Sequence, residues 1–162
     1  MREVLPGDGE GCARAWRDAG RYYAALVPDV IQEPSPEGLA EWFEGLIREE
    51  RGDDSLWLVA VDGDRLVGTI SAEVARPDPD ARWQIQRDLS RARLVINALA
   101  VVEERRRGGV GTALMNAAEE WGRSRGAVVA VTDTNLHSPS SVPFYESLDY
   151  DRNAVIFRKS LS

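Results

Sequence analysis

At 162 residues and 43% hydrophobic content, the chain has enough apolar material for one ordinary core and too little for two, so residues 1–162 read as a single domain. No window nears the roughly 18 consecutive apolar residues of a membrane span, and no apolar signal region follows Arg2, which points to a soluble cytoplasmic protein with no membrane partner. The lone Cys12 and lone His137 exclude an internal disulfide and most of a zinc site, while a net charge of −7 opposes nucleic acid and favours cationic small molecules or basic peptides.

In chain order, residues 1–6 form a short strand candidate closed by Pro6 and Gly7. From about Glu10 to Leu26 the apolar residues Ala13, Trp16, Ala19 and Tyr23 recur at helical spacing, and Leu39, Trp42, Phe43, Leu46 and Ile47 make a second set. Two helices are expected, separated by the loop from Pro28 to Pro36. The period then changes. Residues 56–61 and 66–70 flank Asp62-Gly63-Asp64-Arg65, a strong hairpin signal. Residues 76–80 break the pattern as a loop, and the stretch to about Arg91 has no clear class.

The nearly continuous apolar run from Leu94 to Val102 is expected to be a central strand buried on both faces. A glycine turn at 108–111 opens a helix with apolar positions Val110, Leu114, Ala117, Ala118 and Trp121, ending near Gly126. Residues 128–132 predict another buried strand. Ser138 to Ser141 offer capping chemistry, with Ser140 the expected cap, for a short helix carrying Val142, Phe144, Tyr145 and Leu148; Pro143 fits within its first turn. Residues 155–157 predict a final strand. The whole is an α/β protein with a mixed, mainly antiparallel central sheet and helices on both faces.

A buried strand followed by a glycine-rich turn and a helix N-terminus leaves backbone N–H groups without partners, which is a phosphate-binding arrangement. Gly109 and Gly111 remove side chains that block close approach, and Arg106 and Arg107 add positive charge at the rim. The spacing separates the phosphate motifs that compete for this turn. A nucleotide-binding P-loop ends in Gly-Lys-Ser/Thr, which is absent. A dinucleotide fingerprint needs Gly or Ala where the chain has Leu114, and only Asp133 is placed as its acidic partner.

Residues 106–111, Arg-Arg-Gly-Gly-Val-Gly, resemble the Arg/Gln-x-x-Gly-x-Gly/Ala motif of the GNAT superfamily of acetyl-CoA-dependent N-acetyltransferases. Leu99-Ala100-Val101 resembles the end of that family's central strand. Residues 142–150, Val-Pro-Phe-Tyr-Glu-Ser-Leu-Asp-Tyr, resemble its Phe-Tyr-Glu-Lys-Leu-Gly-Phe signature. The signals stand in the family's order and roughly at its separation, and motif-level resemblance covers about residues 94–150.

The resemblance implies an acyltransferase that uses acetyl-CoA as cosubstrate, without a metal, and passes the acetyl group to a primary amine by direct attack. It implies cofactor contacts from Leu99, Ala100, Val101 and Val102 through main chain, and from Arg106, Arg107, Gly108, Gly109, Val110, Gly111 and Thr112 around the pyrophosphate. Ser138 stands where the family often has Asn, so a side-chain contact to the cofactor is either weakened there or replaced by Ser140 or Asn135. Tyr145 takes the position of the tyrosine that, in many members, protonates the departing CoA thiolate, and a phenol near pKa 10 stays protonated for that task. The competing reading of Tyr145 is an aromatic packed beside Phe144. Asp149 replaces the usual Gly of the signature, and Asp tolerates the left-handed backbone that this turn needs.

A general base is not identified. Members that carry a central-strand glutamate place it near Asn97 and Ala98, neither of which accepts a proton usefully. Asp133, Glu73 and water remain, and a lone loop histidine such as His137 is more often solvated. Asp29, Glu33, Glu37, Glu41, Glu44, Glu49, Glu50, Asp53 and Asp54 face only Arg48 and Arg51 in the same stretch. That imbalance favours a small cationic or aminoglycoside-like amine, although the carboxylates also serve simply to solvate two helices. A protein or peptide N-acetyltransferase and an acyl-CoA-binding sensor without turnover are the alternatives. Family members are often dimers, so the resemblance allows a homodimer, although no exposed apolar element in the sequence demands one.

Overall fold

A computed structural model describes residues 1–161, arranged as two compact units, Met1–Thr132 and the segment from Asp133 onward. The first unit holds β1 (Arg2–Glu3), α1 (Gly9–Leu26), α2 (Leu39–Arg48), β2 (Ser55–Asp62), β3 (Arg65–Ala75), β4 (Arg93–Val101), α3 (Val110–Ser124) and β5 (Val129–Val131). Its strands lie in the order β1-β2-β3-β4-β5, antiparallel except for β4 and β5. Parallel neighbours need a crossover, and α3 supplies it. No helix among the described residues is long and apolar enough to cross a membrane.

The hairpin forms where Asp62-Gly63-Asp64-Arg65 places it, with Asp62 opposite Arg65 across a two-residue turn. Two bulges then set which side chains meet which helix. Ala60 pairs with Gly68 but Val61 with Leu66, leaving Val67 as the extra residue. A bulge reverses the alternation beyond it. Leu66 therefore packs on α1, while the space above Gly68 is filled by Val110 and Leu114 of α3. A Cβ at Gly68 would stand 3.0 Å from Val110 and 3.2 Å from the Ala100 carbonyl, so the close approach of α3 depends on that glycine. Helices cover both faces of the sheet for this reason.

Under α1 and α2 lies a core of Val4, Cys12, Ala13, Phe43, Ile47, Val59 and Leu66. Phe43 meets Trp16 and Trp57 edge-on, at 6.4 and 6.2 Å between ring centres. On the α3 side, Leu114 and Met115 of that helix and Ile70 and Leu94 of the sheet are all fully buried. Each such side chain contributes roughly 1.5–3 kcal/mol relative to exposure. The start of α1 is finished from a distance: Glu44 of α2 accepts both the Gly7 and Gly9 amides at 2.8 Å. Cys12 is wholly enclosed, and burial pushes its thiol up to about 11.

The second unit contains α4 (Ser141–Glu146), with turns on either side of it and no strand among its described residues. Asp149 takes φ +63°, the left-handed turn expected of it.

Four expectations need correction. The run from Leu94 to Val102 is not buried on both faces: Asn97 is exposed and Val95, Ala98, Leu99 and Val101 are half-buried. Asn97 is a bulge between the Ala72–Ile96 and Ser71–Ala98 pairs, so the apolar run changes face instead of facing two cores at once. The strand expected at 128–132 is Val129–Val131 and half-buried, with Val128 exposed. The helix expected to reach Leu148 ends at Glu146. Residues 155–157 form no strand and are exposed, Phe157 by 92%. The unassigned stretch before Arg91 contains two single 3-10 turns, Ala81–Trp83 and Arg87–Ser90.

Candidate functional site

β5 leaves β4 early. The two are paired only from Arg93 to Val95 on β4, opposite Val129 to Val131, whereas β4 continues to Val101. On its other side β4 stays paired with β3 as far as Val101. Along six residues, 96–101, β4 thus has one partner strand. The Val102 amide donates back to the Val67 carbonyl at 3.0 Å. By the alternation of an antiparallel ladder, the main-chain groups of Val101 and Leu99 then point away from β3, toward the open side.

The chain next makes a single 3-10 turn, Glu103–Arg105, and reaches the glycines. Arg107 and Gly109 both have positive φ, +59° and +83°. For Gly109 this costs nothing sterically, whereas an arginine in that region is uncommon. The first helical bond of α3 runs from the Ala113 amide to the Gly109 carbonyl at 2.9 Å. The amides of Val110, Gly111 and Thr112 precede it and have no acceptor within the helix. Their dipoles add at the N-terminus of a 15-residue helix, which favours an anion there. Gly108 and Gly109 are exposed, and Gly111 and Thr112 half-buried, so the surface is accessible. An open strand edge that runs into an anion-binding helix start suits an arm with amides at one end and phosphates at the other. The residues present therefore fit coenzyme A.

Contacts invisible in the local sequence hold this turn. Asp18 of α1 accepts the Glu103 amide at 3.0 Å. Asp62 at the hairpin pairs with Arg105, and Arg65 with Glu104 at 3.1 Å. These partners lie 39 to 85 residues away in sequence, and no motif announces them. Arg106 donates from Nε to the Val101 carbonyl at 3.1 Å.

In the second unit, Tyr145 sits half-buried on α4 with its ring edge-on to Phe144 at 5.1 Å and to Tyr150 at 5.9 Å. Ser138 is buried, and its Oγ accepts the Ser141 amide at 3.0 Å. Ser140 occupies the cap position without a side-chain cap bond, so the hydroxyl that serves the helix start is that of Ser138. His137 and Asp133 are exposed. Glu73 is exposed on β3, opposite Val95.

The acidic stretch is partly committed. Glu33 accepts Arg21 and Arg17 at 3.1 and 2.7 Å, which hold its carboxyl below the usual range. Glu44 caps α1, and Asp54 pairs with Arg76. Asp29, Glu37, Glu41, Glu49, Glu50 and Asp53 are exposed, and their carboxylates make no hydrogen bond or ion pair among the described residues.

The model of the acetyltransferase (GNAT) family matches residues 16–150. The chain belongs to the GNAT acetyltransferase family. Enzymes of this family use acetyl-CoA. An aminoglycoside N(6')-acetyltransferase type 1 of Klebsiella aerogenes is 40% identical over 63 residues, a stretch that spans 38% of this chain and 41% of that protein. A mutant of the BH1408 protein of Bacillus halodurans has the same fold, with a TM-score of 0.82 at 21% identity over 99% of this chain and 98% of its own. AAC(6')-Iy, solved in complex with the bisubstrate analogue CoA-S-monomethyl-acetylneamine, superposes with a TM-score of 0.64 at 19% identity, covering 99% of this chain and 97% of its own.

Proposed function

We propose that this GNAT protein transfers an acetyl group from acetyl-CoA to a primary amine, with a small cationic or aminoglycoside-like acceptor favoured. The observation that carries the reading is the open edge of β4 at residues 96–101 leading into the unpartnered amides of Val110, Gly111 and Thr112. Pantetheine amides pair along that edge, and the pyrophosphate rests on the helix start. The amine nitrogen attacks the thioester carbonyl while the Val101 N–H meets the developing oxyanion, the C–S bond breaks, the nitrogen loses a proton and the thiolate gains one. Tyr145 donates the latter proton, with Ser138 and Ser140 contributing to the cofactor contacts. Asp133, Glu73 or water takes the former. Alignment of the reactants supplies much of the rate.

Two observations support the choice of acceptor. The relative with 40% identity over 63 residues is an aminoglycoside acetyltransferase, and six carboxylates between Asp29 and Asp53 stay exposed without an ion pair among the described residues. The test is acceptor-dependent release of CoA thiol from acetyl-CoA against aminoglycosides, polyamines, amino acids and peptides. Cys12, buried and with a raised thiol, leaves the CoA thiol as the signal. Release is expected with polycationic amines. Binding of acetyl-CoA without release for any acceptor would make the protein a sensor, and a best acceptor that is neutral or anionic away from its amine would remove the cationic preference.

A further inference from the structure

Three consecutive arginines precede the glycines, and each is placed differently. Arg105 is ion-paired with Asp62 at the hairpin. Arg106, half-buried, donates from Nε to the Val101 carbonyl at 3.1 Å, and its guanidinium carbon lies 5.6 Å from the centre of the Tyr22 ring of α1. Arg107 is exposed at φ +59°, and its guanidinium has no hydrogen bond or ion pair among the described residues.

The Arg106 bond falls on the edge that matters. The Val101 carbonyl points to the open side of β4, where the proposed cofactor arm would lie, so the last acceptor on that edge is already taken. Moving the guanidinium to a phosphate would strip this carbonyl of its donor and Tyr22 of its cation. The bond uses Nε, the nitrogen next to the side-chain methylenes. A glutamine amide nitrogen lies the same number of bonds from Cα and is a donor without charge.

We infer that Arg107 is the one arginine of the three that meets the cofactor pyrophosphate, and that Arg106 is a positioning residue that fixes the end of β4 for the pantetheine arm. This inference rests on the reading of the turn as the acetyl-CoA site. Arg107 acts by charge at an exposed position, so lysine can replace it. Arg106 acts by a directed N–H, so glutamine can replace it and methionine cannot.

The experiment measures affinity by calorimetry for acetyl-CoA and for S-acetylpantetheine, which carries the same thioester arm without the pyrophosphate. Arg107→Gln is expected to weaken acetyl-CoA about tenfold, leave S-acetylpantetheine unchanged and reduce the salt dependence of acetyl-CoA binding, while Arg107→Lys restores most of the affinity. Arg106→Met should weaken both ligands by a similar factor, and Arg106→Gln should bind both nearly as the wild type does. Circular dichroism reports whether each variant folds; if Arg106→Met does not, the two glutamine variants still decide. A loss of acetyl-CoA in Arg106→Gln as large as in Arg107→Gln, with S-acetylpantetheine unaffected, overturns the division of labour. A wild-type protein that binds neither ligand overturns the acetyl-CoA reading itself, and this inference with it.

Discussion

Residues 106–112 and residues 150–157 each carry a clear sequence signal, and they end differently. At 106–112 the glycines foretell a turn and a helix start, and both are present, with Gly109 left-handed. At 150–157 the β-branched and aromatic run of Val155, Ile156 and Phe157 foretells a strand, yet those side chains are exposed and unpaired with any strand. A turn is decided by φ preferences within a few residues, whereas a strand exists only with a partner whose edge the local sequence does not specify. Asp149, immediately before, adopts its left-handed turn at φ +63°, so local rules hold right up to the point where a partner is needed.

The comparison can be sharpened by testing what each region does. The largest effect is expected at Tyr145, on the helix between them. Tyr145→Phe keeps the ring and its contacts with Phe144 and Tyr150 but deletes the proton, so folding and acetyl-CoA affinity should be nearly unchanged. Single-turnover acetyl transfer should fall within or somewhat below the roughly 10²–10⁴-fold range of general acid catalysis. A wild-type single-turnover rate from about pH 6 to 10 would make the residue packing alone.

A smaller effect is expected from the exposed acids ahead of the sheet. Glu37 and Glu41 are exposed and without an ion pair among the described residues. The double change to glutamine should raise KM for a polycationic amine by about two- to fivefold, leave KM for acetyl-CoA unchanged and be mimicked by added salt. Equal changes for both substrates would assign these carboxylates to the solvation of α2 and the loop before it.

The smallest effect belongs to the terminal run. Phe157→Ser should shift stability by less than about 0.5 kcal/mol, as for an ordinary surface position. A loss of several kcal/mol in thermal or denaturant unfolding would mean that this segment is packed, against the exposure described above.

Much of the first unit was legible for the same local reasons. The helical spacing of Ala13 and Trp16 and of Phe43 and Ile47, and the Asp62 to Arg65 turn, placed α1, α2 and the hairpin. The bulges at Val67 and Asn97 were not legible, because a register shift depends on the opposing strand. Nor were the holds on the glycine turn by Asp18 and Asp62, whose partners lie 85 and 43 residues away in sequence. The apolar run of β4 suggested double burial because composition records how many side chains are apolar and not which face each takes after a bulge. Arg106 and Arg107 read alike in sequence, as positive charge at the rim of the turn, and only the structure separates them.

The central claim, that the glycine turn holds the cofactor pyrophosphate, is tested most directly by calorimetric titration of acetyl-CoA into the wild type and Gly111→Glu. The substitution sets a carboxylate at the unpartnered amides of α3, against the phosphates. Binding to the wild type and none to a Gly111→Glu protein shown by circular dichroism to be folded is the predicted result. Unchanged affinity in the folded variant would contradict the site.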